Sequence, residues 1–231
     1  MKIEKLEPSR HKEGRWLVWL EDGSIVRVGE GDVVSLGLYA GKELSDGEGE
    51  ALAAAEVRAR LMERAVGLLA LRPMSRRELL DKLCAPPRPE KGKYPYDKLD
   101  DAPDQSVLQS RREALREQAE AVSERLTELG LLNDGEYARA VARHYAGKGY
   151  GPRKVRDELY RRGAPREYWE DALAEVETDD GQIDKLIRRK LRGMEPTREN
   201  LKKVSDFLAR RGYGWEEISS ALERIREEYD T

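Results

Sequence analysis

The segment KVRDELYRRG, Lys154 to Gly163, returns 49 residues later as KVSDFLARRG, Lys203 to Gly212. Seven of the ten positions are identical, and at the same offset Ala172-Leu173 matches Ala221-Leu222. A fixed period of this size is the mark of a repeat architecture. Within each copy the apolar residues, Val155 and Leu159 or Val204 and Leu208, fall at helical spacing, and a glycine stops the helix. A three-helix unit this small needs its neighbours to complete burial, so the units should stack.

Three units of roughly 45–50 residues, each with three helices, are the natural parse. The expected fold is mainly α: an elongated curved stack of three tandem three-helix repeats, preceded by a small N-terminal β-hairpin unit. The boundaries fall at residues 1–46, 47–132, 133–178 and 179–231. In the second repeat Asn133-Asp134 starts a helix with Tyr137, Val141 and Tyr145 at four-residue steps. Gly147, Gly149 and Gly151 interrupt it, and Pro152 suits the first turn of the next helix, where a missing donor costs nothing. Pro165 opens a third helix carrying Tyr168, Trp169, Ala172 and Leu173. Val155, Leu159, Leu173, Val204, Leu208 and Leu222 are the expected core. The motif Gly-Tyr-Gly occurs at 149–151, before the repeated helix, and at 212–214, after it. The two are not equivalent positions, and in both glycine reads as a helix stop.

In the first repeat Ser75 and Glu78 have the spacing of a capping box, and Leu79, Leu80 and Leu83 form the apolar stripe. An alanine-rich helix from about Glu48 to Ala70 precedes it, with Asp46 as its cap. Its expected stripe is Leu52, Ala55, Ala59, Met62, Val66 and Leu69, and Arg72-Pro73 ends it. The insert 86–106, PPRPEKGKYPYDKLDDAPDQS, holds five prolines, so no long element runs through it and it reads as an exposed loop. A helix from about Val107 to Leu129 follows, with Val122, Leu126 and Leu129 in its stripe and Gly130 as its stop. In the N-terminal unit, RWLVWL (15–20) and IVRV (25–28) flank Asp22-Gly23, a hairpin signal. Alternation puts Trp16 and Trp19 on opposite faces, one toward the helical body. Lys2 to Glu7 alternates weakly, and Asp32 to Leu38 reads as a short helix.

The chemistry the chain excludes is broad. Cys84 is the single cysteine, which rules out an internal disulfide and a cysteine zinc cluster. His11 and His144 are the only histidines, and nothing has metal-ligand spacing. Phosphate-loop and nucleophile-elbow patterns are absent, and Asp134 with Glu136 at a helix start reads as cap and dipole partners. No catalytic residue, metal or cofactor is expected. The first residues, MKIEKLEPSR, lack a signal-peptide core, and no stretch approaches the roughly 20 apolar residues of a membrane span. A cytoplasmic protein is the expectation.

Charge makes up 39% of the chain, yet the net is only -3, so distribution decides. From Glu136 to Gly163 there are eight basic residues against three acidic ones. Lys185, Arg188, Arg189, Lys190 and Arg192 make a second cluster, opposed in that window only by Asp184. Arg139, Arg143, Lys148, Arg153, Arg156, Arg188 and Arg189 are the candidate contacts to a partner or to DNA. They suit phosphate or an acidic protein groove, while the plainer reading of any one of them is a solvated helix face. Short helices joined by glycine turns are also the ingredients of a helix-turn-helix DNA reader, which stands as the alternative.

Residues 126 to 165, LTELGLLNDGEYARAVARHYAGKGYGPRKVRDELYRRGAP, resemble the bacterial RecX family of regulators of the RecA recombinase. The resemblance is carried by Gly130, the Leu132-Asn133-Asp134 turn, Tyr137-Ala138, the Gly149/Gly151 turn, and Leu159 four residues before Gly163. It covers nearly the whole chain and departs at the proline-rich insert. It implies a cytoplasmic, all-helical, elongated protein of three tandem three-helix units without a catalytic site, and a monomer is a separate expectation. It also implies binding to the RecA filament on DNA, with restraint of strand exchange, ATP hydrolysis and co-protease activity. Recombination, DNA repair and the SOS response are the implied setting, and direct DNA contact through the basic faces is a further expectation.

Overall fold

A computed structural model describes residues 1–85, 105–175 and 180–229. Most of the proline-rich insert, residues 86–104, lies outside them. The described residues form two units, Met1–Pro73 with Leu79–Leu132, and Met74–Glu78 with Asn133–Thr231.

In the first unit, strands β1 (Ile3–Pro8), β2 (Arg15–Leu20) and β3 (Ile25–Gly29) form an antiparallel sheet in that order. Gly23, at φ 80°, supplies the left-handed residue of the β2–β3 turn. The weakly alternating N-terminus thus joins the hairpin as a third strand. Its alternation is weak because the register shifts between Ile3 and Lys5. Trp16, Val18 and Leu20 face the core, and Trp19 faces out beneath the Lys5 ammonium, 4.8 Å from its ring centroid. Helix α1 (Glu30–Ser35) follows, then α2 (Asp46–Leu71), whose Leu52 and Ala55 complete the core with Ile3, Val18 and Val28.

The cap of α2 is Ser45, one residue before the expected Asp46. The Ser45 N–H donates to the Glu48 carboxylate (2.9 Å), and the Glu48 N–H donates back to Ser45 Oγ (3.4 Å). The Ser45 N–H, the Lys42 ammonium and the Ser45 hydroxyl together hold the Glu48 carboxyl down at about 2. The buried stripe runs Leu52, Ala55, Leu61, Ala65, so the expected Val66 is 44% exposed. Over 26 residues the covered face turns toward α4 (Gln105–Glu128), which packs on α2 through its own half. The buried residues of α4 are Ala119, Val122, Ser123 and Leu126. Leu129, expected in this stripe, is 51% exposed because the helix has ended and Gly130 turns the chain at φ 70°.

The second unit holds two three-helix sets. The first is α5 (Asp134–Gly147), α6 (Pro152–Arg161), a 3-10 turn at Arg166–Tyr168 and α7 (Trp169–Ala174). The second is α8 (Asp180–Leu191), α9 (Arg198–Arg210) and α10 (Trp215–Tyr229). Side-chain oxygens of Asn133 and Thr197 accept the backbone N–H of Glu136 (2.9 Å) and Asn200 (3.4 Å), which starts α5 and α9 at caps. Val155, Leu159, Val204 and Leu208 are buried as expected, and Leu173 and Leu222 close the edges of the two cores half-buried. Each fully buried leucine contributes about 1.5–3 kcal/mol.

Helix α3 (Arg76–Cys84) begins in this second unit. Its cap, Ser75, accepts the Glu78 N–H (3.1 Å) and donates its hydroxyl to the Arg162 carbonyl at the end of α6 (2.6 Å). The start of α6 repeats the arrangement on the end of α9. The Gly151 N–H donates to the Arg211 carbonyl (2.9 Å) and the Arg153 N–H to the Gly212 carbonyl (3.1 Å). A Cβ on Gly151 would lie 2.6 Å from the Gly212 backbone, and one on Gly212 would lie 2.4 Å from Lys154 N. The glycine motifs therefore do more than stop helices. Gly149 and Gly212 are left-handed stops, at φ 76° and 90°. Gly151, with φ -78°, caps α6 and is small because another backbone touches it. The two motifs are inequivalent in sequence and meet in space.

Candidate basic interface

The cations of the second unit fall into two classes. Arg139 and Arg143 share the outer face of α5, one turn apart, and both meet carboxylates. Arg139 lies 3.3 Å from Glu136 and 3.4 Å from Glu175, and Arg143 lies 2.9 Å from Glu175. Hydrogen bonding and charge from Arg139, with help from Arg143, hold the Glu136 carboxyl below its usual range. Arg156 pairs with Glu170 at 3.2 Å, and Arg188 with Glu228 at 2.6 Å. Arg188 stands 49 residues after Arg139, so the first helix of each set carries an arginine paired to a carboxylate at or beyond the end of its third helix. Exposed pairs of this kind contribute about 0–1 kcal/mol and exchange partners readily.

Lys148, Arg153 and Arg189 are exposed and, among the described residues, enter no ion pair. Lys148 and Arg189 lie on one cleft of about 230 Å³, lined also by Gly147, Gly149, Gln182, Lys185 and Leu186. Arg153, at the start of α6, is not part of that lining. The cleft exists because α5 ends at Gly147 and α8 packs against the turn that follows. Gln182 donates its side-chain N–H to the Ala146 carbonyl (2.6 Å), and Arg211 Nη1 donates to the carbonyls of Lys148 (2.8 Å) and Gly149 (2.9 Å). The Arg211 guanidinium lies 4.9 Å from the Tyr150 ring centroid and 5.0 Å from that of Phe207. Carbonyls at the negative end of α5 are thereby engaged, and the cationic side chains dominate the local field.

Sequence reasoning named Lys148 and Arg189 without placing them together. Lys185 and Arg189, four apart on α8, were legible as one helix face. Gln182 and Arg211 carried no signal, since their role depends on α8 and α9 returning to the α5 turn. One further charged group was missed. Glu158 is 3% exposed, and Arg161 pairs with it while Arg162 Nε lies at 3.7 Å and Lys154 at 3.9 Å. Burial works to raise its carboxyl, but the Arg161 guanidinium, the Tyr145 hydroxyl and Lys154 hold it below the usual range. Among the described residues no cluster of His, Cys, Asp and Glu has the makings of a metal site, and no helix is long and apolar enough to cross a membrane.

Successive three-helix sets joined end to end, after a small antiparallel sheet, define a tandem three-helix repeat protein whose distinctive chemistry lies on charged faces. Residues 133–173 match the family model for RecX, second three-helix domain, and residues 178–222 that for RecX, third three-helix domain. The chain belongs to the RecX family. It is 35% identical over 162 residues to the regulatory protein RecX of Xanthomonas axonopodis pv. citri, covering 69% of this chain and 84% of that one. It is 32% identical over 162 residues to the regulatory protein RecX of Escherichia coli strain SE11, covering 69% and 88%. The fold resembles a crystal structure of regulatory protein RecX, with TM-score 0.70, 24% identity and 98% of each chain covered. It also resembles RecX from Lactobacillus salivarius, with TM-score 0.57, 18% identity and 74% and 98% covered.

Proposed function

We propose that the chain is a non-enzymatic, cytoplasmic regulator that binds the RecA filament on DNA and mostly restrains recombination, ATP hydrolysis and co-protease activity. Its relatives are named regulatory proteins, and both three-helix domains of the second unit match that family. The observation that carries the reading furthest is the repeated cation on the first helix of each set. Arg139 and Arg143 recur 49 residues later as Arg188 and Arg192, a spacing suited to a periodic partner such as a filament. The repeats 133–178 and 179–231 each present such a face. Arg139, Arg143, Arg156 and Arg188 contact filament carboxylates by exchanging their internal partners, and Lys148, Arg153 and Arg189 add charge nearby. Binding one filament state in preference to another shifts assembly toward that state, so regulation needs no chemistry of its own.

The test is binding to RecA filaments on single-stranded DNA, with bare DNA at matched salt as control. Filament binding should be tighter by at least tenfold. Arg139→Glu with Arg143→Glu should weaken it by tenfold or more with helicity intact. Equal affinity for filament and bare DNA would assign the affinity to nucleic acid and sink this reading.

A further inference from the structure

We propose that the cleft between the β3–α1 turn, α2 and α4 binds a small monoanionic ligand with an apolar body, an aryl or medium-chain alkyl carboxylate. The body rests on Ala59, Met62 and Val122, and the carboxylate meets Arg58 and Arg125. The inference goes beyond the filament reading and is tested without RecA.

The first observation is apolar surface that the fold leaves uncovered. Ala59 and Met62 belong to the stripe of α2 expected to be buried, yet both are only half-buried, and Ala121 on α4 is exposed. They open onto a cleft of about 370 Å³, within the roughly 300–1,000 Å³ of pockets that hold small ligands. Gly31 lines it as well. Its φ is not left-handed, so no turn demands glycine there, and an added Cβ would meet nothing within 4 Å. Glycine weakens a helix relative to alanine, so what the missing side chain provides at this position is space.

The second observation is charge. Two arginines and one aspartate line the cleft, Arg58, Arg125 and Asp32, which leaves a balance of one positive charge. Asp32 is already engaged: Oδ1 accepts from Arg58 Nη2 (2.7 Å), and Oδ2 accepts the Gly29 N–H (3.3 Å). Arg58 Nη1 donates to Gln118 Oε1 (3.0 Å). These bonds orient the guanidinium and leave it further N–H donors. Arg125 pairs with Glu128 at 2.8 Å, an exposed pair within one helix that exchanges readily for another anion.

Floor and rim together select the ligand. A phosphate or other dianion would press charge against an apolar floor, where burial without partners is costly. A neutral apolar body would leave the two arginines without an anion. A protein segment needs more surface, since nine residues line the cleft and a standard protein interface takes about 20–30 on each side. One negative charge on a compact apolar body satisfies both.

The test titrates the full chain with octanoate and with 3-phenylpropionate by calorimetry. At least one should bind saturably, one to one. Preference for octanoate assigns the site to acyl chains, and preference for 3-phenylpropionate assigns it to aromatic acids. Gly31→Leu and Ala121→Phe fill the cleft from two walls, and each should weaken binding by about tenfold or more with helicity unchanged. Arg125→Gln should weaken it about threefold, and the matching amides should bind the parent chain more weakly than the acids by about the same factor. Leu71→Gln, at an exposed apolar position on α2 outside the cleft, should leave affinity unchanged. Lack of saturable binding by either acid overturns the proposal. So does parent-like affinity in folded Gly31→Leu or Ala121→Phe, equal affinity for acid and amide, or a loss in Leu71→Gln as large as in Gly31→Leu. RecA-filament affinity is a separate measurement on the same variants, so either reading can fail alone.

Discussion

The two three-helix sets of the second unit share a plan and differ in how they fill it. Position 158 in one is position 207 in the other. Glu158 is buried under arginines, whereas Phe207 is half-buried with Lys190 and Arg211 over its ring, at 5.5 and 5.0 Å. The arginine four residues on follows suit. Arg162 turns to Glu158 and donates to the Tyr145 hydroxyl (3.2 Å), while its counterpart Arg211 crosses to the carbonyls of the α5–α6 turn. The first helices differ in bulk as well. Tyr137, Ala138 and Ala142 in α5 occupy the places of Leu186, Ile187 and Leu191 in α8, and all six are buried. One set thus combines small residues with a polar network, and the other relies on aliphatic volume. A buried ion network need not stabilise more than an apolar replacement, but removing one member of it is costly. The difference teaches that the helix plan is fixed by Val155/Val204, Leu159/Leu208 and the closing glycines, and that the positions between them are free to choose their chemistry.

The strongest check on that shared plan is symmetrical. Leu159→Ala and Leu208→Ala both remove a side chain with no exposure, and each should cost about 2–5 kcal/mol in urea unfolding. Costs differing by more than twofold would mean that the sets do not share a core. Next comes the junction. Gly212→Ala combines a left-handed φ of 90° with a 2.4 Å backbone clash, so a loss of about 3 kcal/mol is expected. Gly151→Ala, which carries the clash without the backbone strain, should cost less, and an equal loss would show that φ is not the deciding term. Glu158→Gln should then lower stability by about 1–2 kcal/mol, because its arginines lose a charged acceptor. Phe207→Gln would lose packing instead and should show no acid dependence of its own.

The smallest effect expected is on pH. The folded Glu158 carboxyl lies below its ordinary value, so its contribution is present above the ordinary carboxylate range and fades as pH falls through and below it. Position 207 has nothing to titrate. Segment-resolved hydrogen exchange should therefore show α6 losing protection on acidification before α9. Simultaneous loss would mean that the two sets open as one.

The helices were legible because their signals are local. Repeated apolar spacing, proline at a helix start and glycine at its end are written within one turn. The Ser45 cap was missed by one residue because Ser45 and Asp46 are both good caps, and Glu48 selects the first. Val66 and Leu129 were misplaced because periodicity names a stripe but not where its covering neighbour ends. The candidate site was legible as residue types and not as an arrangement. Glu170 and Glu228 lie 14 and 40 residues from the arginines they hold, and no local pattern announces them. Glu158 entered the sequence reading only as one of three acidic residues opposing eight basic ones, and only the fold encloses it.

The end-to-end junction has a consequence for how a chain like this is assembled over generations. The three differences between the repeated segments fall at 156/205, 158/207 and 160/209, and none falls on the Arg162-Gly163 and Arg211-Gly212 pairs that receive the preceding helix. A carbonyl, a glycine and an incoming donor make up the joint, and the donor is a hydroxyl at Ser75 and a main-chain amide at Gly151. A segment duplicated in frame carries half of the joint at each end and so arrives already able to dock. The number of repeats then becomes a quantity that duplication can change without redesigning a single interface, while the faces between the joints drift toward whatever partner they meet.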